Sequence, residues 1–397
     1  MRVTEISVKG LFGVFDHVIP LNLEDKITII HGPNGVGKTV LLRMLDALFN
    51  AHYATLHDFP FTEFSISFDD QSQIDVTHDF GLQLAFSKAG NEKELFLPMG
   101  DWQPQLSLFQ ETSSLSNLAH SPYHPEPAWL FDLQKTFSVI LVETQRLLFF
   151  QKKGMVLRAS NKELPLKVEK CAKELSNQIQ STLAESAEIS QLLERTFPNR
   201  LVQKAFSPLP EADLRARLDK LEQEQARLSS VGLLTNGNGF EFKSTLPIDE
   251  QNINALSIYV QDAQQKLSVF DKLATKLSLF KKIVEQKFLY KKLNISKERG
   301  LAFFSPDGHI IPLSGLSSGE QHELVLLYEL LFNTKAGSLI LIDEPEISLH
   351  LAWQVNFLSD LQEICKLASL DVILATHSPE IIHDRWDLTV GLKGPGQ

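Results

Sequence analysis

The sequence predicts an α/β fold with a mixed or parallel core sheet, an antiparallel β subdomain and a short, coiled-coil-like helical insertion. Three observations predict it. Leu339-Ile340-Leu341-Ile342 and Val372-Ile373-Leu374-Ala375 are unbroken apolar runs, the pattern of strands buried on both faces of a parallel sheet. Phe64-Ser65-Ile66-Ser67-Phe68 and Ile74-Asp75-Val76-Thr77-His78 alternate instead, as half-buried antiparallel strands do. Through the middle of the chain, apolar residues recur at helical spacing.

The first element to carry chemistry lies near the N-terminus. Ile27-Thr28-Ile29-Ile30 reads as a strand and Val40 to Leu48 as a helix. Between them, Gly32-Pro33-Asn34-Gly35-Val36-Gly37-Lys38-Thr39 matches G-x-x-x-x-G-K-[ST] in full. Glycines let such a loop curl so that its N–H groups converge on phosphates at a helix N-terminus. The loop with Val40 is therefore a candidate nucleotide cradle. Lys38 would reach the β- and γ-phosphates, and Thr39 would place its hydroxyl on Mg²⁺. ATP and Mg²⁺ are the expected cofactors.

Residues 51–137 are legible only in part. After the two alternating runs, Pro98 to Pro127 is rich in Ser, Gln, His and Pro and reads as a loop in which His120 and His124 are incidental. The helical insertion follows. Leu166, Val168, Cys171, Leu175, Ile179 and Leu183 mark a helix over 164–194, and Leu214, Leu218 and Leu221 mark another over 210–228. A third stretch is expected over 252–293, from Leu256 and Tyr259 through Leu277 and Phe280 to Phe288. Thr235-Asn236-Gly237-Asn238-Gly239 reads as a turn or apex loop. Such arms reach at most about 65 Å at 1.5 Å per residue. Lys297 to Phe304, Pro306-Asp307-Gly308 and His309 to Pro312 then read as a β-hairpin.

The remaining motifs cluster toward the C-terminus. Leu316-Ser317-Ser318-Gly319-Glu320-Gln321 precedes the apolar run that ends in Asp343-Glu344. Adjacent carboxylates at a strand's C-terminal end can divide the labour: Asp343 toward the Mg²⁺ shell, Glu344 polarising an attacking water. The run ending at Ala375 continues into Thr376-His377-Ser378-Pro379. Earlier, Val142-Glu143-Thr144-Gln145-Arg146-Leu147 follows the run from Ser138 to Leu141.

LSSGEQ resembles the signature motif of ABC-type ATPases, in the form found in the SMC, RecF and OLD branch. The resemblance implies an ABC-type P-loop ATPase head that hydrolyses ATP. It also implies self-association, because Ser317, Ser318, Gly319 and Glu320 of one copy would close on the nucleotide held by a second, giving an ATP-sandwiched dimer or higher homo-oligomer. Pro345 to His350 resembles the D-loop region of members reading DEPExxLH. His377 matches the family's switch histidine at the γ-phosphate, and Gln145 its Mg²⁺-sensing Q-loop glutamine. The catalytic set implied is Lys38, Glu344 and His377, and the metal set is Thr39, Gln145 and Asp343.

Motif order divides the chain into an N-terminal ATPase lobe (1–150), a helical insertion (151–294) and a C-terminal ATPase lobe (295–397). The ETQRL string and the overall pattern are similar to ATPases of the OLD, Septu and PARIS anti-phage systems. That implies a sensor or scaffold that holds a separately encoded effector such as a nuclease. OLD proteins carry a TOPRIM nuclease after the switch histidine; only residues 378–397 follow His377 here, so none is expected. Gly10-Leu11-Phe12-Gly13 stands where many relatives have Asn-Phe-Arg, and no adenine or DNA contact is carried over from that Arg. A RecF-like DNA-binding ATPase of repair and a nucleotide-gated scaffold of low turnover are the alternatives.

Composition bounds these readings. A chain of 397 residues with 43% hydrophobic content can bury a large core, as one composite α/β unit with an insertion. Cys171 and Cys365 are far apart and read as reduced thiols. Met1-Arg2-Val3-Thr4-Glu5 lacks the layout of a signal peptide, and no apolar run reaches the ~20 residues needed to span a bilayer. A cytoplasmic location without a membrane partner is expected. The net charge of −11 argues against a chain that coats DNA through its overall field. Lys152-Lys153, Arg158, Lys281-Lys282, Lys291-Lys292, Lys297 and Arg299 read either as a solvated face or as a DNA or RNA contact.

Overall fold

The computed structural model of the chain describes residues 1–78, 81–88, 94–98, 127–142, 167–202, 209–234 and 250–394. Contacts group the chain into two compact units, Met1–Gln145 with Asn333–Gln397, and Arg146–Phe332. Motif order and contact grouping thus cut the chain at different places. The signature segment follows the insertion in contact grouping, whereas motif order joins it to the C-terminal lobe.

The first unit holds a five-stranded sheet in the order Thr389–Gly391, Ile27–His31, Asp371–Ala375, Leu339–Asp343, Val139–Val142. Every neighbouring pair in it is parallel. The three central strands are apolar because both their faces are covered: Leu339 to Ile342 are each 0% exposed. Register then decides where chemistry can occur. Asp343 pairs with Ala375 and Ala375 with Ile30, so the loops after these strands leave from one edge. In open parallel sheets that edge is where ligands bind.

A six-stranded antiparallel sheet lies in the same unit, in the order Phe15–Pro20, Val3–Leu11, Glu63–Phe68, Gln73–His78, Leu82–Ser87, Glu94–Phe96. The alternation read in the sequence places Phe64, Ile66, Ile74 and Val76 in its buried face. Helix Lys38–Phe49 contributes Leu41, Leu42, Leu45 and Leu48 to a single core shared with both sheets. Each such side chain stabilises the fold by about 1.5–3 kcal/mol relative to exposure. Arg2 adds a two-pronged contact to Asp371 at the head of a central strand, with Nε and Nη2 donating at 3.0 and 2.5 Å.

The second unit contains helices Lys167–Val202, Glu211–Ser230, Glu250–Ser268 and Asp271–Lys287. The first has 36 residues, about 54 Å at 1.5 Å per residue, and runs past the expected end at 194. The stretch expected over 252–293 is corrected: it is two helices and the start of a strand. The chain turns at Val269-Phe270, with Phe270 buried as the anchor and Asp271 in the next helix's first turn, where an acid suits the dipole. Tyr290, at φ +62°, ends the second helix's exit turn.

Lys292–Ser296 then pairs with Gly300–Phe304, which pairs with Ile310–Ile311. The expected hairpin is therefore the last part of a three-stranded sheet. Leu293 and Ile295 are buried between the more exposed Lys292, Asn294 and Ser296; over so few residues a strand's alternation is hidden inside a helical pattern. Ser176 and Gln180 of the long helix donate to the Lys297 carbonyl at 2.6 and 2.8 Å, fixing that sheet to it.

Several sequence features lie outside the described residues: the interior of the loop between Pro98 and Pro127 with His120 and His124, Gln145, Lys152-Lys153, Arg158, and Thr235 to Gly239. Among the described residues, no helix is long and apolar enough to cross a membrane. Cys171 and Cys365 are buried free thiols, and burial pushes each up to about 12.

Candidate functional site

The phosphate-type loop connects strand Ile27–His31 to helix Lys38–Phe49. Two of its glycines combine a positive φ with a close neighbour, backbone at one and a side-chain tip at the other. At Gly32 (φ +154°) a Cβ would stand 2.6 Å from the Leu392 carbonyl oxygen; at Gly37 (φ +98°) it would stand 2.4 Å from Leu11 Cδ2. No side chain fits either position without displacing its neighbour. Pro33, Asn34 and Gly35 are exposed, whereas Val36 is buried. Its carbonyl meets the buried His17 ring at 2.8 Å from Nε2.

Lys38 is the first residue of the helix and is 5% exposed. Its ammonium folds back to donate to the Gly32 and Pro33 carbonyls, each at 3.0 Å. Burial holds its pKa below the usual lysine range, against the opposing pull of Glu344, Asp343 and Glu346. Thr39 donates its hydroxyl to Asp343 Oδ1 at 3.1 Å, joining the loop to the end of strand Leu339–Asp343. Burial pushes the Asp343 carboxyl up; the Thr39 bond lowers it, and the neighbouring Glu344 charge raises it further. A hydroxyl and a carboxylate oxygen side by side are hard donors of the kind Mg²⁺ takes while keeping positions for phosphate and water. The residues present fit that ion. Val40 is half-buried, the third residue of the helix.

Glu344 leaves the strand in a left-handed conformation, φ +42° and ψ 57°, which is uncommon outside glycine and costs on the order of 1–3 kcal/mol. Its N–H is held by the Ala375 carbonyl at 2.9 Å. Its carboxylate faces His377, with Oε1 3.8 Å from Nε2. The two residues come from the ends of adjacent parallel strands, so the pairing follows from register. Glu346 accepts from Thr376 Oγ1 at 2.9 Å and from the His377 N–H at 2.7 Å. His350 caps helix Leu351–Ala368, its Nδ1 accepting from the Ala352 N–H at 3.3 Å.

The signature segment lies in the second unit. Ser317 is the N-cap of helix Ser318–Tyr328 and forms a complete capping box with Glu320. Ser317 Oγ accepts from the Glu320 N–H at 3.3 Å, and the Ser317 N–H donates to Glu320 Oε2 at 2.8 Å. This satisfies two of the helix's orphan groups and leaves Ser317 and Ser318 exposed at its N-terminus, with Gly319 half-buried. Glu320 Oε1 accepts from Lys291 Nζ. Burial works against the Glu320 charge, but the Lys291 and Ser317 hydrogen bonds prevail and hold its carboxyl below the usual range. Gln321 donates to the Leu316 carbonyl at 2.8 Å, closing the preceding turn. One helical turn on, Glu323 meets Lys287 at 2.5 Å in a buried pair.

The structure thus brings Lys38, Thr39, Asp343, Glu344 and His377 together at one sheet edge, and presents Ser317, Ser318 and Gly319 at a capped helix start. Gln145 lies outside the described residues. Sequence reading missed His17, Glu346, Thr376 and Lys291 as supports. Glu346 lies within the quoted Pro345 to His350 string, but its partners, like those of the others, are distant in sequence and set by strand register and helix packing, so local pattern does not give their roles. Of the basic residues read as a solvated face or nucleic-acid contact, Lys291 is committed to Glu320, and Lys281 donates to the Ser230 carbonyl at 2.7 Å.

A family model described as AAA ATPase domain matches residues 1–382. Comparison with curated proteins gives no match. Solved structures that the chain resembles include the SMC head domain from Thermotoga maritima, at 13% identity and TM-score 0.40, covering 99% of this chain and 95% of that one. An SMC head bound to the C-winged helix domain of ScpA matches at 12% identity and TM-score 0.43, covering 100% and 95%. An SMC head with an extended coiled coil, bound to the C-terminal domain of ScpA and derived from Pyrococcus furiosus, matches at 13% and 0.40, covering 99% and 94%.

Proposed function

The chain belongs to the AAA ATPase domain family, and from that premise we propose that it binds ATP with Mg²⁺ and hydrolyses it at a site shared between two copies. The observation that carries this reading is the Thr39–Asp343 hydrogen bond beside an ammonium that, among the described residues, is held by loop carbonyls. A lysine so placed keeps its charge available to the β- and γ-phosphates. Thr39 and Asp343 would hold Mg²⁺, with Gln145 as its sensor, and the ion supplies charge neutralisation on the phosphates. Glu344 takes the proton of the attacking water, and His377, beside it, meets the γ-phosphate. Ser317 and the N-terminus of its helix, from the second copy, donate to the same phosphate, where a helix dipole favours negative charge.

The role we propose is that of a sensor or scaffold in an anti-phage complex, controlling a separate effector such as a nuclease. The string Glu143-Thr144-Gln145-Arg146-Leu147 supports it by resemblance. The alternative of a RecF-like DNA-binding ATPase draws on basic residues, two of which are already engaged within the protein.

ATP turnover by the purified chain tests the reading. Lys38→Ala should weaken nucleotide binding roughly 10- to 100-fold, the loss expected of a charged hydrogen bond. Glu344→Gln should bind ATP normally and lose turnover by about 10²–10⁴-fold. Equal turnover in wild type and Glu344→Gln would remove Glu344 from the mechanism. Plasmid, linear DNA and tRNA should remain intact with Mg²⁺ or Mn²⁺. Cleavage abolished by a point mutation in this chain would overturn the separate-effector role.

A further inference from the structure

We infer that Glu346 is a positioning residue for hydrolysis: its carboxylate clamps the Thr376-His377 backbone and so holds the His377 ring against Glu344, an assignment that rests on the shared-site ATPase reading above. The residue follows Asp343-Glu344 by two, and its carboxylate turns to the neighbouring strand's exit rather than to Lys38 or its loop. Its two oxygens divide between two donors on the neighbouring strand's exit. Oε2 accepts from the Thr376 hydroxyl at 2.9 Å and Oε1 from the His377 N–H at 2.7 Å. The 2.7 Å distance is that of a charge-assisted hydrogen bond, about twice the strength of a neutral one.

A second ring of bonds closes around the first. The Thr376 oxygen, fully buried, also accepts from the Ser378 N–H at 3.0 Å. Ser378 Oγ donates to Gln354 Oε1 at 2.8 Å, and Gln354 Nε2 reaches back to the Leu349 and Glu346 carbonyls at 3.3 and 3.4 Å. The turn after Leu339–Asp343 and the turn after Asp371–Ala375 are therefore stitched together from both sides. With the Glu344 N–H fixed on the Ala375 carbonyl, the peptide anchors on either side of the 3.8 Å Glu344–His377 approach are set. Removing the carboxylate frees one anchor and strands the buried Thr376 hydroxyl and the His377 N–H.

A displaced ring costs rate rather than nucleotide affinity, because Lys38 and the loop N–H groups bind the phosphates independently. Misplacement of a catalytic group by about 1 Å can cost 10²-fold. Glu346→Ala should therefore lower kcat roughly 10- to 100-fold with the ATP dissociation constant little changed. Glu346→Gln should recover part of the loss: its oxygen can accept from the His377 N–H and its amide can donate to Thr376. A merely structural role is separated by a double-mutant cycle. In a His377→Ala background, Glu346→Ala should cost no more than about twofold further, since contacting residues couple and independent ones add.

Full turnover in Glu346→Ala, or an equal loss in both backgrounds, overturns the assignment. Should Glu346→Ala not fold, Glu346→Gln carries the same cycle with a several-fold effect. If the wild-type chain hydrolyses no ATP, the shared-site reading falls on that result alone, and the clamp is judged by hydrogen exchange at 375–378. The His377 amide should be protected in wild type and released in Glu346→Ala; equal exchange in both overturns the clamp.

Discussion

The phosphate loop and the signature helix are two halves of one proposed site, yet they treat charge in opposite ways. In the loop, Lys38 is buried against carbonyls, and among the described residues no carboxylate lies within ion-pair distance of it. Asp343 is buried beside a second acid, and its carboxyl is pushed up by burial. In the signature region, Lys287 meets Glu323 and Lys291 meets Glu320. A lysine that must receive a ligand is kept from neutralisation, and a lysine that must hold a helix is given a carboxylate. The first arrangement costs stability and the second fixes shape, as expected where strain and buried charge gather at functional sites.

The sharpest way to break this comparison is at the buried pair. Lys287→Met leaves Glu323, 1% exposed, as an uncompensated charge with Oε2 already lacking a hydrogen-bond partner. Thermal or denaturant unfolding should show a loss of about 3–5 kcal/mol, and Lys287→Met with Glu323→Met should recover most of it. Nucleotide binding through Lys38 should persist under conditions where the variant stays folded. An unchanged melting temperature in Lys287→Met would show that the pair does not hold the signature helix.

The loop side predicts the reverse sign. The folded pKa of Asp343 lies above its ordinary value, so this group favours folding below that value and loses the contribution as pH rises through the folded pKa. At neutral pH its charge is a burden on the nucleotide-free protein. Asp343→Asn should then raise the melting temperature by on the order of a few degrees while weakening Mg²⁺-dependent ATP binding. A lowered melting temperature would contradict the description of Asp343 as a strained charge.

The smallest effect is expected at Lys291. Its loss removes one partner from Glu320 but leaves the capping box, so Lys291→Ala should cost about 1 kcal/mol or less. The Glu320 carboxyl is held below its ordinary value, so its stabilisation is full above that ordinary value. It is lost as pH falls through the folded pKa. Acid unfolding should begin at higher pH in Lys291→Ala than in wild type; coincident curves would remove Lys291 as a support.

What could be read in advance differs between the halves for a related reason. Gly32 to Thr39 and Asp343-Glu344 were legible because phosphate chemistry demands particular residues at fixed local spacing between recognisable strands. The supports were not, because Glu346 reaches Thr376 across a parallel register and Lys291 reaches Glu320 across a helix start. The break at Phe270 carried neither Gly nor Pro, so helical periodicity ran across it, and burial of that ring set the turn. Lys292–Ser296 was absorbed into the same helical pattern because five residues cannot distinguish the two periods.

The central claim, that the two halves of the site come from different copies, is tested by mixing two inactive proteins. Lys38→Ala lacks a working phosphate loop and Ser317→Arg lacks a working signature, so each alone should show no ATP turnover. Combined, and with subunit exchange verified, a mixed pair contains one site with an intact loop facing an intact signature. A fraction of wild-type ATPase should return, growing with the proportion of mixed pairs. Complete exchange with no recovered turnover would contradict it.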